Sequence, residues 1–327
     1  MKRSLPFLFL LFIFFSCSKH NDSSGGSAAP IKWNQLAQFP GTVNFDPIAF
    51  SIGNRIYAGM AGSVAFGPSK RATEFFAYDK VANAWMQLTS FPVAALAYPG
   101  AGFVVAGEGY VVLSPDSSDN GLYAYDTAHN SWSRKTNYPG VVQGSPTAFA
   151  INGFGYVGLG ESFTPEENGF YQYDPVADSW TKKSNYPGTH PEAAASFVIG
   201  NLAYVGTGAM GATGSSDGNN VSTEFYSYDP ASDTWTPKAN FVGVPRYGAA
   251  GFAVGNDGYM VGGSGANNEY VADLWQYDPS ADKWAEQQVF TPGGRYAGLA
   301  FSGDSVGYFG FGANNVQPMN DLWKYRP

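Results

Sequence analysis

Apolar and polar residues alternate through short stretches of the chain, as in "GFYQY" (169–173) and "DLWQY" (273–277), with glycine- or aspartate-rich breaks between them. A period of two belongs to a half-buried strand, whereas a helix would space its apolar residues by three and four. The stretches fall into a repeat. Tyr78, Tyr125, Tyr173, Tyr228 and Tyr277 each precede a tryptophan by seven residues, at intervals of 47, 48, 55 and 49, with 48 more to Tyr325. Each unit predicts four strands. The innermost is small and apolar ("EAAASFVIG", 192–200; "YGAAGFAVG", 247–255), and the second carries glycines ("GYVGLG", 155–160; "GYMVGG", 258–263). The third ends at the repeated tyrosine and the fourth opens at the repeated tryptophan.

The hairpin between the last two strands explains the repeated octapeptide "YDPVADSW" (173–180). Asp174 can bond the backbone ahead of it, Pro175 presets a turn dihedral, and Asp178 tolerates a left-handed conformation. Asn83, Asn130, Asp233 and Asp282 stand at the matching last position. The flanking rings supply large apolar surfaces for packing between sheets. Six such units predict an all-β, six-bladed β-propeller, a fold that protects its sheet edges by radial closure. "KWNQLAQFP" (32–40) matches "AWMQLTSFP" (84–92) but follows no tyrosine hairpin. Trp33 is therefore expected to open the outer strand of the blade that ends at Tyr325.

A glycine pair followed at fixed spacing by tyrosine and tryptophan resembles the kelch repeat, over residues 31–327. The undivided pair occurs once, at Gly262-Gly263; elsewhere Gly-x-Gly stands in its place (Gly158 and Gly160, Gly206 and Gly208, Gly310 and Gly312), or "VVLS" (111–114). The chain as a whole is similar to kelch lipoproteins of Bacteroidetes-type bacteria, most of which have no assigned activity.

The N-terminus reads as an address. Lys2 and Arg3 precede the apolar run "LPFLFLLFIFF" (5–15), too short to span a bilayer comfortably. It ends at Cys17, the chain's single cysteine, in "FFSC". This resembles a lipobox, which implies cleavage of residues 1–16, a lipid on Cys17 and a place in the bacterial cell envelope, facing periplasm or surface. Residues 17–30, polar and small, are expected to be a flexible tether.

Composition narrows the functions. Aromatics make up 17% and charged residues 13%, and the net charge of −8 offers no footprint for nucleic acid. One cysteine, in the signal region, leaves no intrachain disulfide and no cysteine metal site, and no cofactor is expected. "GTGAMG" (206–211) fits a dinucleotide pattern, but a loop follows where the phosphates need a helix N-terminus. "DSSDNG" (116–121) lacks the alternating oxygens of a calcium loop. Galactose oxidases, which are kelch propellers, hold copper with two histidines and two tyrosines; the three histidines here, His20, His129 and His190, do not supply that set.

The remaining candidate is the mouth of the central channel. Aligned on Phe50, Phe103, Phe149, Phe197, Phe252 and Phe301, the innermost strands are entered through a ring of Asn44, Ala97, Gln143, Pro191, Arg246 and Arg295. The next ring is Phe45, Tyr98, Gly144, Glu192, Tyr247 and Tyr296, with His190 close by. Polar groups interleaved with aromatics suit sugars and peptides, because rings stack and polar groups orient. Arg246 and Arg295 have two roles open to them. They could grip a ligand carboxylate, or pair between blades with acids opening the third strands, Glu74, Glu224, Asp273 and Asp321. Two functions follow: a membrane-anchored module that binds a glycan, peptide or protein, or a sugar mutarotase or epimerase resembling periplasmic sialate mutarotases. In the second, Glu192 or His190 would serve as acid or base and an arginine would hold the sugar carboxylate.

Overall fold

A computed structural model of the protein describes residues 32–42, 47–59, 73–93, 98–114, 120–140, 145–160, 168–189, 192–210, 220–303, 305–314 and 317–327, with Tyr98, Pro99 and Ser114 placed by their backbones alone. The expected signal, Cys17 and the tether lie outside the described residues. Six four-stranded antiparallel sheets are arranged as a six-bladed β-propeller. The innermost strands are Ile48–Ile52, Tyr98–Val105, Thr147–Ile151, Ala195–Ile199, Ala250–Val254 and Leu299–Ser302. Each packs against its neighbours around the channel, the first against the last. Among the described residues the only helical turn is a 3-10 segment, Ala266–Asn268.

One packing motif repeats around the ring. The phenylalanine of each innermost strand pairs in register with a tyrosine of the second: Phe50 with Tyr57, Phe103 with Tyr110, Phe149 with Tyr156, Phe197 with Tyr204, Phe252 with Tyr259 and Phe301 with Tyr308. In the first five of these pairs the rings stack at 5.1–5.5 Å, as between Phe252 and Tyr259 (5.1 Å) or Phe197 and Tyr204 (5.5 Å). In four blades a glycine before that tyrosine (Gly109, Gly155, Gly258 and Gly307) makes room for the phenylalanine of the preceding blade. A Cβ at Gly155 would sit 2.1 Å from the Phe103 ring, nearer than any real side-chain carbon. The second strand is thus glycine-bearing because a ring crosses it, a packing reason that alternation alone does not reveal.

Where Gly-x-Gly stands in place of the undivided glycine pair, the backbone of the pair is kept. Gly262 has φ of 70°, and the equivalent Leu159, Thr207 and Phe311 have φ of 64°, 59° and 58°. These residues accept a left-handed conformation that costs a side chain about 1–2 kcal/mol.

The octapeptide proves to be a clasp between blades. The Asp178 carboxylate accepts from the Tyr173 hydroxyl (2.8 Å) within its own hairpin and from the amide of Thr136 (2.9 Å), which leaves the outer strand of the preceding blade. The Trp180 indole then donates to the Thr136 carbonyl at 3.1 Å. Four further copies repeat the geometry, with Asn83, Asn130, Asp233 and Asp282 gripping the amides of Ala37, Thr89, Ser184 and Ala239.

The sixth blade joins the two ends of the domain. Trp33–Gln35 pairs with Leu322–Tyr325, Trp33 opposite Tyr325, and Trp33 meets Phe290 edge to face at 4.8 Å. The ring contacts of the other blades are kept, with Trp33 also 4.9 Å from the Tyr325 ring. The Trp33 indole N–H and the Tyr325 hydroxyl are buried with no hydrogen-bond partner among the described residues.

Candidate functional site: the channel mouth

The connections from second to third strands and from each fourth strand to the next innermost one meet at one face of the propeller. There the channel opens into a cavity of about 150 Å³ with lining residues from all six blades, among them Pro47, Gly100, Ser145, Ala193, Gly248 and Tyr296. Its wall is a girdle of backbone hydrogen bonds running from blade to blade. The Ala193 amide donates to the Ser145 carbonyl, Gly248 to Ala193, and Ala297 to Gly248, at 3.2, 2.9 and 3.0 Å. Each of these four residues is left-handed, with φ of 34°, 50°, 62° and 53° for Ser145, Ala193, Gly248 and Ala297. Three of them bear side chains, so the girdle stores strain of the kind that clusters at ligand clamps.

The residue before each left-handed position belongs to the ring expected from sequence. Glu192, Tyr247 and Tyr296 are held alike, each amide donating to a carbonyl at the end of its own blade: Ala209, Ser264 and Ala313, at 3.0, 3.0 and 2.9 Å. Tyr247 and Tyr296 come together, ring centroids 5.2 Å apart and tilted by 56°. The Tyr296 ring lies on Gly248, where a Cβ would approach it to 2.3 Å. Glu192 is buried, 3% exposed. Burial pushes the Tyr247 phenol up from its ordinary pKa, partly offset by a hydrogen bond with Ser264, while Tyr270 and the Glu192 charge push it further up. Asn44, Gln143 and His190 lie outside the described residues, and the Tyr98 side chain is not described.

The arginines make the strut contacts. Arg246 and Arg295 are 0% and 1% exposed. Arg246 donates through both terminal nitrogens to Asp273, at 2.5 and 2.7 Å, and also to the carbonyls of Gly262 and Val244. Arg295 grips Asp321 in the same forked way, at 2.5 and 2.9 Å, and donates to the Phe311 carbonyl. The guanidinium planes rest on Phe241 and Phe290, 4.7 and 4.8 Å from the ring centroids. Trp275 and Trp323 donate to the same aspartates at 2.8 and 2.7 Å. Two parallel bonds, a stacked ring and full burial leave neither guanidinium facing the cavity. Glu74 and Glu224 do related work without arginine, accepting from the amides of Thr42 and Thr189 at 2.7 and 2.8 Å.

Two residues of this region escape a sequence reading. Ser264 and Tyr270 sit in what looks like a variable polar loop, yet the loop folds back with Ser264 bridged to both Tyr247 and Tyr270. An aromatic inside such a loop is the only signal, and it is a weak one. Among the described residues no group of three or more metal-ligating side chains comes together.

Fold and site together define a six-bladed β-propeller whose channel mouth is shaped by all six blades. No family model matches the chain, and no curated protein matches it. Among solved structures it is similar to that of YjhT, with a TM-score of 0.73 and 16% identity over 88% of this chain and 95% of that one. At that identity the likeness is one of fold. Matches extend over 781 solved chains, so the fold alone selects no activity.

Proposed function

We propose that the protein is a lipid-anchored kelch-type propeller of the bacterial cell envelope that binds a glycan, peptide or protein segment at its channel mouth. The observation that carries the reading is the strained girdle around a cavity lined from every blade, with the Tyr247–Tyr296 ring pair at its rim. Besides joining neighbouring blades, the four equivalent left-handed residues shape a concave wall, and backbone strain of this kind clusters at ligand clamps. The cavity is smaller than the roughly 300–1,000 Å³ of a drug-sized pocket, so a single sugar ring or side chain would enter it and the rest of the ligand would lie across the face. The left-handed geometry shared by Leu159, Thr207, Gly262 and Phe311 supports the kelch reading, and the signal-like "FFSC" supports the anchor.

A mutarotase is the second reading, supported by a buried carboxylate, Glu192, near the Tyr247 phenol at the mouth. A glycan and peptide array probed with the soluble domain, alongside Tyr296→Ala, tests binding. NMR exchange between sugar anomers tests catalysis. Binding that Tyr296→Ala abolishes, without accelerated exchange, is the expected result. Exchange accelerated above buffer and lost in Glu192→Gln would replace the first reading with the second.

A further inference from the structure

The joints between neighbouring outer strands are not all alike. At five of them the Asn or Asp two residues before the tryptophan accepts the tyrosine hydroxyl of its own hairpin. The same oxygen accepts the amide of Ala37, Thr89, Thr136, Ser184 or Ala239, which follows the preceding outer strand. The indole then donates to that residue's carbonyl. At the sixth joint Ile31 stands two residues before Trp33, and its aliphatic side chain offers no oxygen. The groups such a clasp would use, the Tyr325 hydroxyl and the Trp33 indole N–H, belong to side chains 0% and 3% exposed. Neither has a partner among the described residues. Gln288, the counterpart of Thr136, makes one bond in the reverse sense: its side-chain oxygen accepts the Lys32 amide at 3.0 Å.

Connectivity weakens the same joint. The other five outer strands are tied to their third strands by turns of four residues, such as 80–83 and 175–178. A strand on so short a loop re-pairs at little entropic cost. Trp33–Gln35 is tied to Leu322–Tyr325 only through the whole ring of blades. Buried donors left unpaired raise the free energy of the closed joint further.

The release has a defined limit. Ala37 lies in an intact clasp, its amide donating to Asn83 and its carbonyl accepting from the Trp85 indole, both at 2.9 Å. Residues 32–36 come before that anchor. They hold blade six through strand pairing, with the Arg326 amide on the Lys32 carbonyl (3.0 Å) and the Leu36 amide on the Leu322 carbonyl (2.8 Å).

We infer that residues 32–36 form a releasable strap, hinged at Ala37, and that this is the first joint of the propeller to open. Opening withdraws Trp33 from the rings of Phe290, Phe309 and Tyr325 and bares the edge of Leu322–Tyr325. The strap continues directly from residues 1–31, so a pull on that segment loads this joint before any hairpin.

Native-state hydrogen exchange of the full soluble domain, read by NMR, tests the strap against controls that the repeat supplies. The amides of Leu88, Lys238 and Gln287 make the bond equivalent to that of Leu36, to the carbonyls of Phe75, Phe225 and Leu274. After correction for intrinsic rates, Leu36 and Arg326 should exchange about tenfold or more faster than those three, as the absence of several clasp bonds implies. Their exchange should also depend less on denaturant, because a local opening exposes little surface. Ile31→Asn restores the oxygen found at the other joints and should slow Leu36 and Arg326 about threefold or more. Ile31→Ala adds no oxygen and should not slow them. Protection at Leu36 equal to that of the three controls would overturn the inference. Fast exchange that Ile31→Asn slows no more than Ile31→Ala does would overturn it too, since the missing clasp would not be what frees the strap.

Discussion

Replacing Arg295 by lysine separates a structural arginine from a ligand-binding one. The guanidinium makes two parallel bonds to Asp321, one to the Phe311 carbonyl, and stacks on Phe290. Lysine keeps the charge but can reproduce neither the fork nor the stacking. Breaking a buried pair outright costs about 3–5 kcal/mol. Asp321 is 16% exposed, and a lysine would keep part of the attraction, so the expected loss is about 2–3 kcal/mol. In a domain this large that lowers the melting temperature by roughly 3–5 °C. Arg246→Lys should behave alike, since Asp273 holds Arg246 in the same geometry. Asp321→Asn and Asp273→Asn should each lose about as much, because they strand a buried guanidinium. Differential scanning calorimetry of the four variants reads these losses directly. Wild-type melting of both lysine variants, joined to weakened binding of an acidic sugar or peptide, would refute the strut assignment and return the arginines to the ligand.

Three further expectations follow from the clasps, the seam and the N-terminus. Tyr173→Phe removes one bond of the clasp and should cost about 1 kcal/mol, while Asp178→Ala, which also frees the Thr136 amide, should cost more; denaturant titration distinguishes them. Burial pushes the Asp178 carboxyl up, but bonds from Thr136 and Tyr173 outweigh it and hold its pKa below the usual 3.8. Because the folded pKa is the depressed one, that stabilisation is present above about pH 3.8 and lost as pH falls through the folded value, and Asp178→Asn should flatten the acid limb of a melting-versus-pH curve. Deleting residues 30–40 strips the strand opposite Tyr325 and exposes an edge, so it should unfold or aggregate the domain, whereas deleting 18–29 should leave the melt unchanged. Cys17→Ala should abolish metabolic lipid labelling, and labelling that persists would remove the anchor from the proposal.

The repeat was fully legible because a period of two, a fixed Tyr-to-Trp spacing and an aspartate turn are local signals. They placed the six blades and the pairing of Trp33 with Tyr325. The clasp was only half legible: Asp178 was readable as a turn former, but its grip on Thr136 joins residues 42 positions apart, which no local pattern encodes. The mouth shows the same limit. Alignment on the innermost phenylalanines brought Glu192, Tyr247 and Tyr296 to one level, since strand geometry fixes the register. The pairing of Arg246 with Asp273 depends on how far one connection reaches across a blade, which the alignment does not specify. The left-handed girdle was invisible, because Ser145, Ala193 and Ala297 are residue types that ordinarily avoid that conformation.

The central claim is that the mouth, rather than the struts around it, is the functional surface. Tyr296→Ala tests it most directly, with melting temperature and affinity for a ligand from the array measured on the same preparation. Tyr296 is half-buried and bonded to its neighbours through its backbone, so the variant should melt within about 3 °C of the unaltered domain. It should bind at least tenfold more weakly, as loss of an aromatic ring that stacks on the ligand implies. Unchanged affinity in a variant that melts normally would contradict the account.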